Sequence, residues 1–428
     1  MLKKILQKKL AFVAREIIAA RKPEIIGISG SVGKTSTKEA IACVLRRSFP
    51  LRETYKNYNN EIGLPLTIIG AQSPGRSIFG WFKLLKEGQR IARDVQVPYP
   101  QMLVLEMGID HPGDMDVLTS IAKPHRAVLT RLGTAHAEFF SSLQELYKEK
   151  LKLAEALSEE GIAIYNYDDE ILHTAMQDLS RRSISYGFSP LANVRADNVH
   201  ITTSPGVDKE IGSSFKLLYE GSSVPVFLPG VISRPGILSA LAAAAVGFSY
   251  GLNAIEISTS LRDYVSPPGR MKLLAGKFDQ LIIDDTYNSS PEAATESLET
   301  VALIPRNEYG HSWIVLGDMR ELGAESVAAH SVLGREVADH GFDHLISVGE
   351  EAAHISLAAI KNGMPEKMVR HFENSEAALD YLDAEVAARD LVLVKGSQAV
   401  RMEKIVKRLM KEPERASELL VRQGKEWL

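Results

Sequence analysis

Short apolar runs alternate along this chain with longer stretches in which hydrophobic positions return every three to four residues. "PEIIGISG" (23–30), "QMLVLEMG" (101–108), "RAVLTRLG" (126–133) and "GIAIYNYDD" (161–169) are of the first kind. "KTSTKEAIACVLRR" (34–47) and "SSLQELYKEKLKLAEAL" (141–157) are of the second. Continuous apolar runs of this length predict buried strands, and the 3.6-residue period predicts helices. Strand and helix in alternation predict an α/β fold with a doubly wound, mostly parallel sheet. From about 183 to 230 the rhythm shortens. "SISYGFSP", "NVRADNVHITTS", "SSFKLLYEG" and "SSVPVFLPG" read as short strands with turns, a small β-rich appendage. A helical stretch follows to Tyr264, within which "GILSALAAAAVGFSYGL" reads as a buried helix.

"VSPPGR" (265–270) is the best linker, with two prolines and a glycine after a long helix. Beyond it the alternation restarts in "QLIIDDTYN", "HSWIVLGDM", "DHLISVGEEA" and "DLVLVKGS", predicting a second, smaller Rossmann-like domain. The expected division is therefore 1–23, 24–265 and 266–428. In the first segment Leu2, Ile5, Leu6, Leu10, Val13 and Ile17 recur at helical spacing, with Lys3, Lys4, Lys8, Lys9 and Arg15 elsewhere. Such a basic amphipathic helix either docks on its own domain or lies on a membrane; docking is the expectation.

Composition narrows the function classes. A net charge of −4 gives no general attraction to nucleic acid or anionic lipid, and no stretch predicts stable membrane insertion. The single cysteine, Cys43, excludes an internal disulfide and fits a reducing, cytoplasmic setting. Its helical surroundings suggest a small buried hydrophobe rather than a nucleophile.

The candidate chemistry begins at "GISGSVGKTST" (27–37), between the first strand and the helix after it. Gly30, Ser31 and Gly33 let backbone N–H groups close around phosphate oxygens. Lys34 would reach the terminal phosphates, Thr35 would hold Mg²⁺, and Ser36 completes the turn. The longer GxxxxGK[ST] pattern is not met, because Ile28 stands where its first glycine belongs. The loop implies ATP but not a reaction.

"NYNNEIGLPLTII" (57–69), "LEMGIDHPGDMDVLTSIAKPHRAVLTRLGTAHAEFF" (105–140), "PPGRMKLL", "IDDTYNSSPEA", "VLGDMRELGAESVAAH" and "LVLVKGS" resemble the Mur ligase family. The resemblance covers about 24–410. "NNEIGLPLT" and "GDMRELG" resemble its MurF-like branch, which adds D-alanyl-D-alanine to the muramoyl tripeptide. It implies an ATP-dependent, amide-forming ligase that phosphorylates a carboxylate before an amine attacks the acyl phosphate. The implied substrates are a peptide-sugar acid and an amino acid or dipeptide. A folylpolyglutamate- or cyanophycin-type pair, or a non-catalytic ATP-binding role, are the alternatives.

The family pattern also implies roles for particular residues. Glu106 and His136 would hold a second Mg²⁺; a loop histidine is otherwise often just hydrogen-bonded. Asn60 would lie near the γ-phosphate or acceptor, against the plainer reading of a turn cap. Lys150 falls on the apolar stripe Leu143, Leu146, Tyr147, Leu153, Ala154 and Leu157, where a lysine is expensive unless its head escapes to water. The resemblance implies that it is carbamylated and helps organise the metal. Lys148 and Lys152 are expected to be ordinary solvated charges. Arg270 would reach ATP phosphates on domain closure about 265–270, Asp285 would bind the ribose, and Asn288 and Pro291 keep the "YNxxP" frame. Lys395, Gly396 and Ser397 would lie near the incoming amine.

Four features depart from the family pattern. About 23 residues precede the first strand, too few for the usual UDP-sugar-binding domain, so a partner supplying nucleotide-sugar recognition is one expectation. The "HN" pair before the Ala-rich helix is absent from "GVISRPGILSALAA", Arg131 replaces an asparagine, and Gln398 replaces an arginine.

Overall fold

The computed structural model describes residues 2–55, 58–134, 137–179, 181–202, 210–305, 308–424 and 427. The chain divides into two compact units. One comprises Met1–His200, Ser214–Leu228 and Pro235–Tyr264; the other comprises Ile201–Ser213, Pro229–Arg234 and Val265–Leu428.

In the first unit a sheet is built from β1 (Glu24–Ser29), β2 (Leu51–Glu53), β3 (Met102–Glu106), β4 (Arg126–Leu129), β5 (Ile162–Asn166) and β6 (Arg182–Gly187). These strands run parallel in the order β2-β3-β1-β4-β5-β6. Three longer strands, β7 (Val194–Thr202), β8 (Gly212–Tyr219) and β9 (Ser222–Pro229), continue the same sheet beyond β6, where the sequence suggests short ones. The β-rich stretch is therefore appended to the edge of the main sheet. The helices here are α1 (Leu2–Arg21), α2 (Lys34–Leu45), α3 (Gly63–Ile69), α4 (Ile78–Arg93) and α5 (Asp114–Ile121). They are followed by α6 (Leu143–Glu155), α7 (Glu170–Gln177), α8 (Arg234–Ser249) and α9 (Ala254–Leu261).

β1 and β3 are apolar on both faces because helices cover both sides of a parallel sheet. On one face Ile25, Leu103, Leu105, Ala127 and Leu129 pack with Leu64, Leu118, Leu146 and Leu153 from the covering helices. α8 is the Ala-rich segment, buried from Ala240 to Gly247 as its composition suggests. Cys43 is half-buried, donates to the Ser260 carbonyl at 3.1 Å, and is pushed up to about 11 by burial.

α1 docks on the same domain through Leu10, Val13, Ala14 and Ile17. Its crossing with α4 is tight: a Cβ on Gly88 would lie 2.4 Å from Val13 Cγ1. The Arg21 guanidinium clamps the far end, donating to the Ile91 carbonyl at 2.8 Å and the Val95 carbonyl at 3.1 Å. Ile5, assigned to the docking stripe from its spacing, is exposed instead.

The second unit holds β10 (Lys272–Ala275), β11 (Leu281–Asp285), β12 (Ser312–Gly317), β13 (His344–Val348), β14 (Val369–Phe372) and β15 (Leu391–Lys395). Their order is β10-β11-β15-β12-β13-β14, antiparallel only at β10–β11. Around them lie α10 (Pro291–Ala302), α11 (Ser326–His340), α12 (Ala353–Lys361), α13 (Ser375–Glu385), α14 (Glu403–Leu409) and α15 (Ala416–Leu419).

Candidate active site

β1 is flanked by β3 on one side and β4 on the other, so the connections leave in opposite directions from its carboxyl end. Such a switch point opens a crevice at the strand ends. Three loops meet there: the one after Ser29, the one after Glu106 and the one after Leu129.

The loop after Ser29 is held from behind by the loop after β4. Ser31 N–H donates to the Arg131 carbonyl at 2.7 Å, and the Ser31 hydroxyl and the Gly133 backbone bond each other at 2.8 and 2.9 Å. The Thr130 hydroxyl donates to the Val32 carbonyl at 2.6 Å. At Gly30, φ is +148° and a Cβ would lie 2.1 Å from Thr130 Oγ1, so both the turn and the close approach demand glycine. α2 starts after Gly33 with no side-chain cap, which leaves its first N–H groups and positive dipole end for an anion. Lys34 Nζ donates to the Gly30 carbonyl at 2.6 Å, folding the lysine back along the loop. Ser36 sits half-buried in the next turn.

Thr35 points across the crevice to β3. Its hydroxyl donates to Glu106 Oε2 at 3.0 Å, while Asn59 Nδ2 donates to Glu106 Oε1 at 3.1 Å. The Glu106 backbone N–H is fixed by Thr54 Oγ1 at 2.9 Å. Buried Lys38 supports that strand end by donating to the Thr54 carbonyl at 2.7 Å. Asn60 faces the other way: its Oδ1 accepts from the N–H groups of Ile62 and Gly63 and caps the turn into α3. Asn59, one position earlier in the same doublet, is the side chain that meets the carboxylate. Side-chain type could not choose between two adjacent asparagines.

Lys150 is buried in α6, 1% exposed, and its Nζ has no hydrogen-bond partner among the described residues. Burial, with the nearby Lys34 ammonium, lowers its pKa to about 7. The head has not escaped to water. Lys152, expected to be merely solvated, instead bridges Asp116 at 2.6 Å and Glu149 at 2.7 Å. His136 lies outside the described residues.

The oxygen donors of Thr35 and Glu106 suit Mg²⁺, which takes hard oxygen ligands and keeps positions for water and phosphate. Among the described residues no group of three or more His, Cys, Asp or Glu side chains could hold a metal ion. Among the described residues Glu106 is the carboxylate that accepts from Thr35, and the buried Lys150 amine, without a hydrogen-bond partner there, lies near Lys34 in the same unit.

In the second unit, Asp285 at the end of β11 accepts from Met271 N–H at 3.1 Å, Ser297 Oγ at 2.7 Å and Lys395 Nζ at 2.6 Å. An ionised carboxylate offers about four acceptor positions, so one remains. Lys395 also donates to the Asn288 carbonyl at 3.2 Å; Asn288 itself is exposed. Its neighbour Asp284, passed over in the sequence, is fully buried and accepts from Gly269 N–H at 3.0 Å and from the Thr286 hydroxyl at 2.6 Å. Burial raises its pKa to about 6, against the lowering by those hydrogen bonds. It thereby fixes the turn that presents Arg270, whose guanidinium stacks 4.0 Å over the Tyr287 ring. Ser397 Oγ accepts from Arg320 N–H at 2.9 Å.

Comparison with known proteins agrees with this arrangement. The chain matches the Mur ligase middle domain over residues 28–78 and 88–246, and the glutamate ligase domain of Mur ligases over 269–398. It is 32% identical over 406 residues to the UDP-N-acetylmuramoyl-tripeptide–D-alanyl-D-alanine ligase of Escherichia coli K12, covering 94% of this chain and 79% of that one. The Bacillus subtilis ligase of the same name is 28% identical over 389 residues, with 91% and 76% covered. The crystal structure of the Thermotoga maritima MurF ligase in complex with ADP superposes with a TM-score of 0.77 at 27% identity, covering 96% of this chain and 84% of that one. The chain belongs to the Mur ligase family and is an ATP-dependent ligase.

Proposed function

We propose that the chain adds D-alanyl-D-alanine, or a closely similar amine, to a muramoyl-peptide carboxylate in peptidoglycan precursor synthesis. The observation that carries this reading is the buried, unpartnered amine of Lys150 in the same unit as the phosphate loop and the Thr35–Glu106 pair. The identity to ligases of that name over more than nine-tenths of the chain supports the substrate pair.

ATP sits with its phosphates against the N–H groups from Gly30 to Ser36 and the Lys34 ammonium. A carboxylate oxygen of the acid attacks the γ-phosphorus, the bond to the bridging oxygen breaks, and ADP leaves. The amine then attacks the acyl carbon, phosphate departs, and the amine loses a proton. Thr35 and Glu106, with His136 and Lys150 as its carbamate, are the residues that would hold Mg²⁺. When bound there it would offset the repulsion between two anions brought together. The neutral amine of Lys150 is the form that reacts with CO₂: its lone pair forms the N–C bond, one C–O π bond opens onto oxygen, one proton is released, and a neutral amine becomes a carbamate anion. On this reading Arg270 and Asp285 are the second unit's own nucleotide-contact residues.

The test offers ATP, Mg²⁺ and bicarbonate with UDP-muramoyl tripeptide and D-alanyl-D-alanine, or with a folate or other acid and glutamyl acceptors. ADP release and product mass are followed. Turnover with the muramoyl pair is expected. Turnover only with a glutamyl acceptor would overturn the substrate assignment, and tight ATP binding without turnover on any pair would leave a non-catalytic partner.

A further inference from the structure

α4 leaves three large apolar side chains in water: Ile78 is 86% exposed, Phe79 78% and Phe82 55%. Neighbouring α1 adds Phe12 at 54% and Ile5 at 44%. Exposed apolar residues standing alone need no explanation, but a cluster on two packed helices does.

The two helices run the same way, because Val13 packs at Gly88 while Arg21 binds the carbonyls of Ile91 and Val95. With a rise of about 1.5 Å per residue in both, their amino-terminal halves lie side by side. Around α1, Ile5 and Phe12 fall opposite the buried row Leu10, Val13, Ala14 and Ile17. Around α4, Phe79 and Phe82 fall opposite Leu84, Gly88 and Ile91. Lysines stand among the apolar groups: Lys8 and Lys9 beside Phe12, and Lys83 and Lys86 beside Phe82, with Lys86 Nζ 4.8 Å over the Phe82 ring.

The charge is as uneven as the hydrophobicity. α1 and α4 together hold ten lysines and arginines against two glutamates; the other 392 residues hold 40 against 52. A chain of net −4 thus concentrates +8 on two adjacent helices and leaves −12 elsewhere. Among the described residues no helix is long and apolar enough to cross a membrane.

We propose that the outer face of α1 and α4 is a peripheral docking surface for an anionic lipid bilayer. The aromatic and aliphatic side chains enter the boundary between headgroups and acyl chains, and the lysines pair with lipid phosphates. A protein partner fits less well, because lysine is depleted from the centres of protein interfaces, whereas here it is interleaved with the apolar groups. The acidic remainder of the surface is repelled by the same bilayer, which fixes the face presented.

Sedimentation of the full chain with vesicles tests this. Binding is expected to vesicles of phosphatidylglycerol and phosphatidylcholine, to be absent with phosphatidylcholine alone, and to fall steeply by about 0.5 M salt. Phe79→Ser with Phe82→Ser, and separately Lys8→Glu with Lys9→Glu, should each weaken partitioning by about tenfold or more. Because these side chains are exposed, both variants should keep the parent melting temperature and turnover. No binding to anionic vesicles at low salt, or binding unchanged in both variants, would overturn the proposal. So would concentration-dependent self-association abolished by the phenylalanine changes, with no vesicle binding.

Discussion

Lys150 can be tested by pH before any turnover is measured. Its folded-state pKa, about 7, lies below the ordinary 10.5, so the unfolded chain binds this proton more tightly. The resulting penalty on the fold is complete below pH 7 and fades as pH rises from there toward 10.5. Lys150→Met should therefore raise the melting temperature more at pH 6 than at pH 9 in CO₂-free buffer, while abolishing turnover. An equal shift at both pH values would show an amine that titrates normally. In the parent enzyme, activation by bicarbonate should grow as pH rises through 7, because only the neutral amine forms the carbamate. Glu106→Gln keeps the shape of the Thr35 contact but removes the charge, and should lower kcat by about 100-fold or more with a higher Mg²⁺ requirement. A Mg²⁺ titration of initial rates checks it. The glycine loop, Glu106 and Lys150 were legible because each violates a pattern: glycines after a strand, a carboxylate ending an apolar run, a lysine inside an apolar stripe. Asn59 and Asp284 were not, since each sits beside an identical residue and only backbone direction decides which faces inward.

Among the elements, α1 shows what hydrophobic spacing can and cannot say. Its period marked a helix, and Leu10, Val13 and Ile17 found the core, but Ile5 lies outside the stripe they define. The partner surface decides, and that surface includes Gly88 of α4, which no local pattern marks as a crossing point. Gly88→Ala would add a methyl group 2.4 Å from Val13 Cγ1, on a β-branched side chain with little rotameric freedom. The helix gains propensity, but overpacking wins, and a net loss of about 1–3 kcal/mol is expected. Urea unfolding measures it; adding Val13→Ala to the same chain should recover part of the loss. The β-rich stretch was recognised as strands and turns, but the strands are longer than expected, and their joining to the main sheet beyond β6 rests on edge pairing, which alternation along one strand does not encode.

For the molecule as a whole, two α/β rhythms separated at "VSPPGR" gave the fold class, and the two Mur ligase domains matched on either side agree with it. The carboxyl ends of β1, β3 and β4 are where such a sheet opens, and the phosphate loop, Glu106 and the Thr130 support arrive there for that reason. The same topology leaves the outer face of α1 and α4 free of catalytic duty. In the proposed mechanism ATP activates a carboxylate as its acyl phosphate before the amine arrives. Labelling both oxygens of the acid's carboxylate with ¹⁸O tests it directly, by mass spectrometry of the phosphate released during a ligation reaction. One ¹⁸O atom in each inorganic phosphate is the predicted result; amide product accompanied by unlabelled phosphate would contradict it.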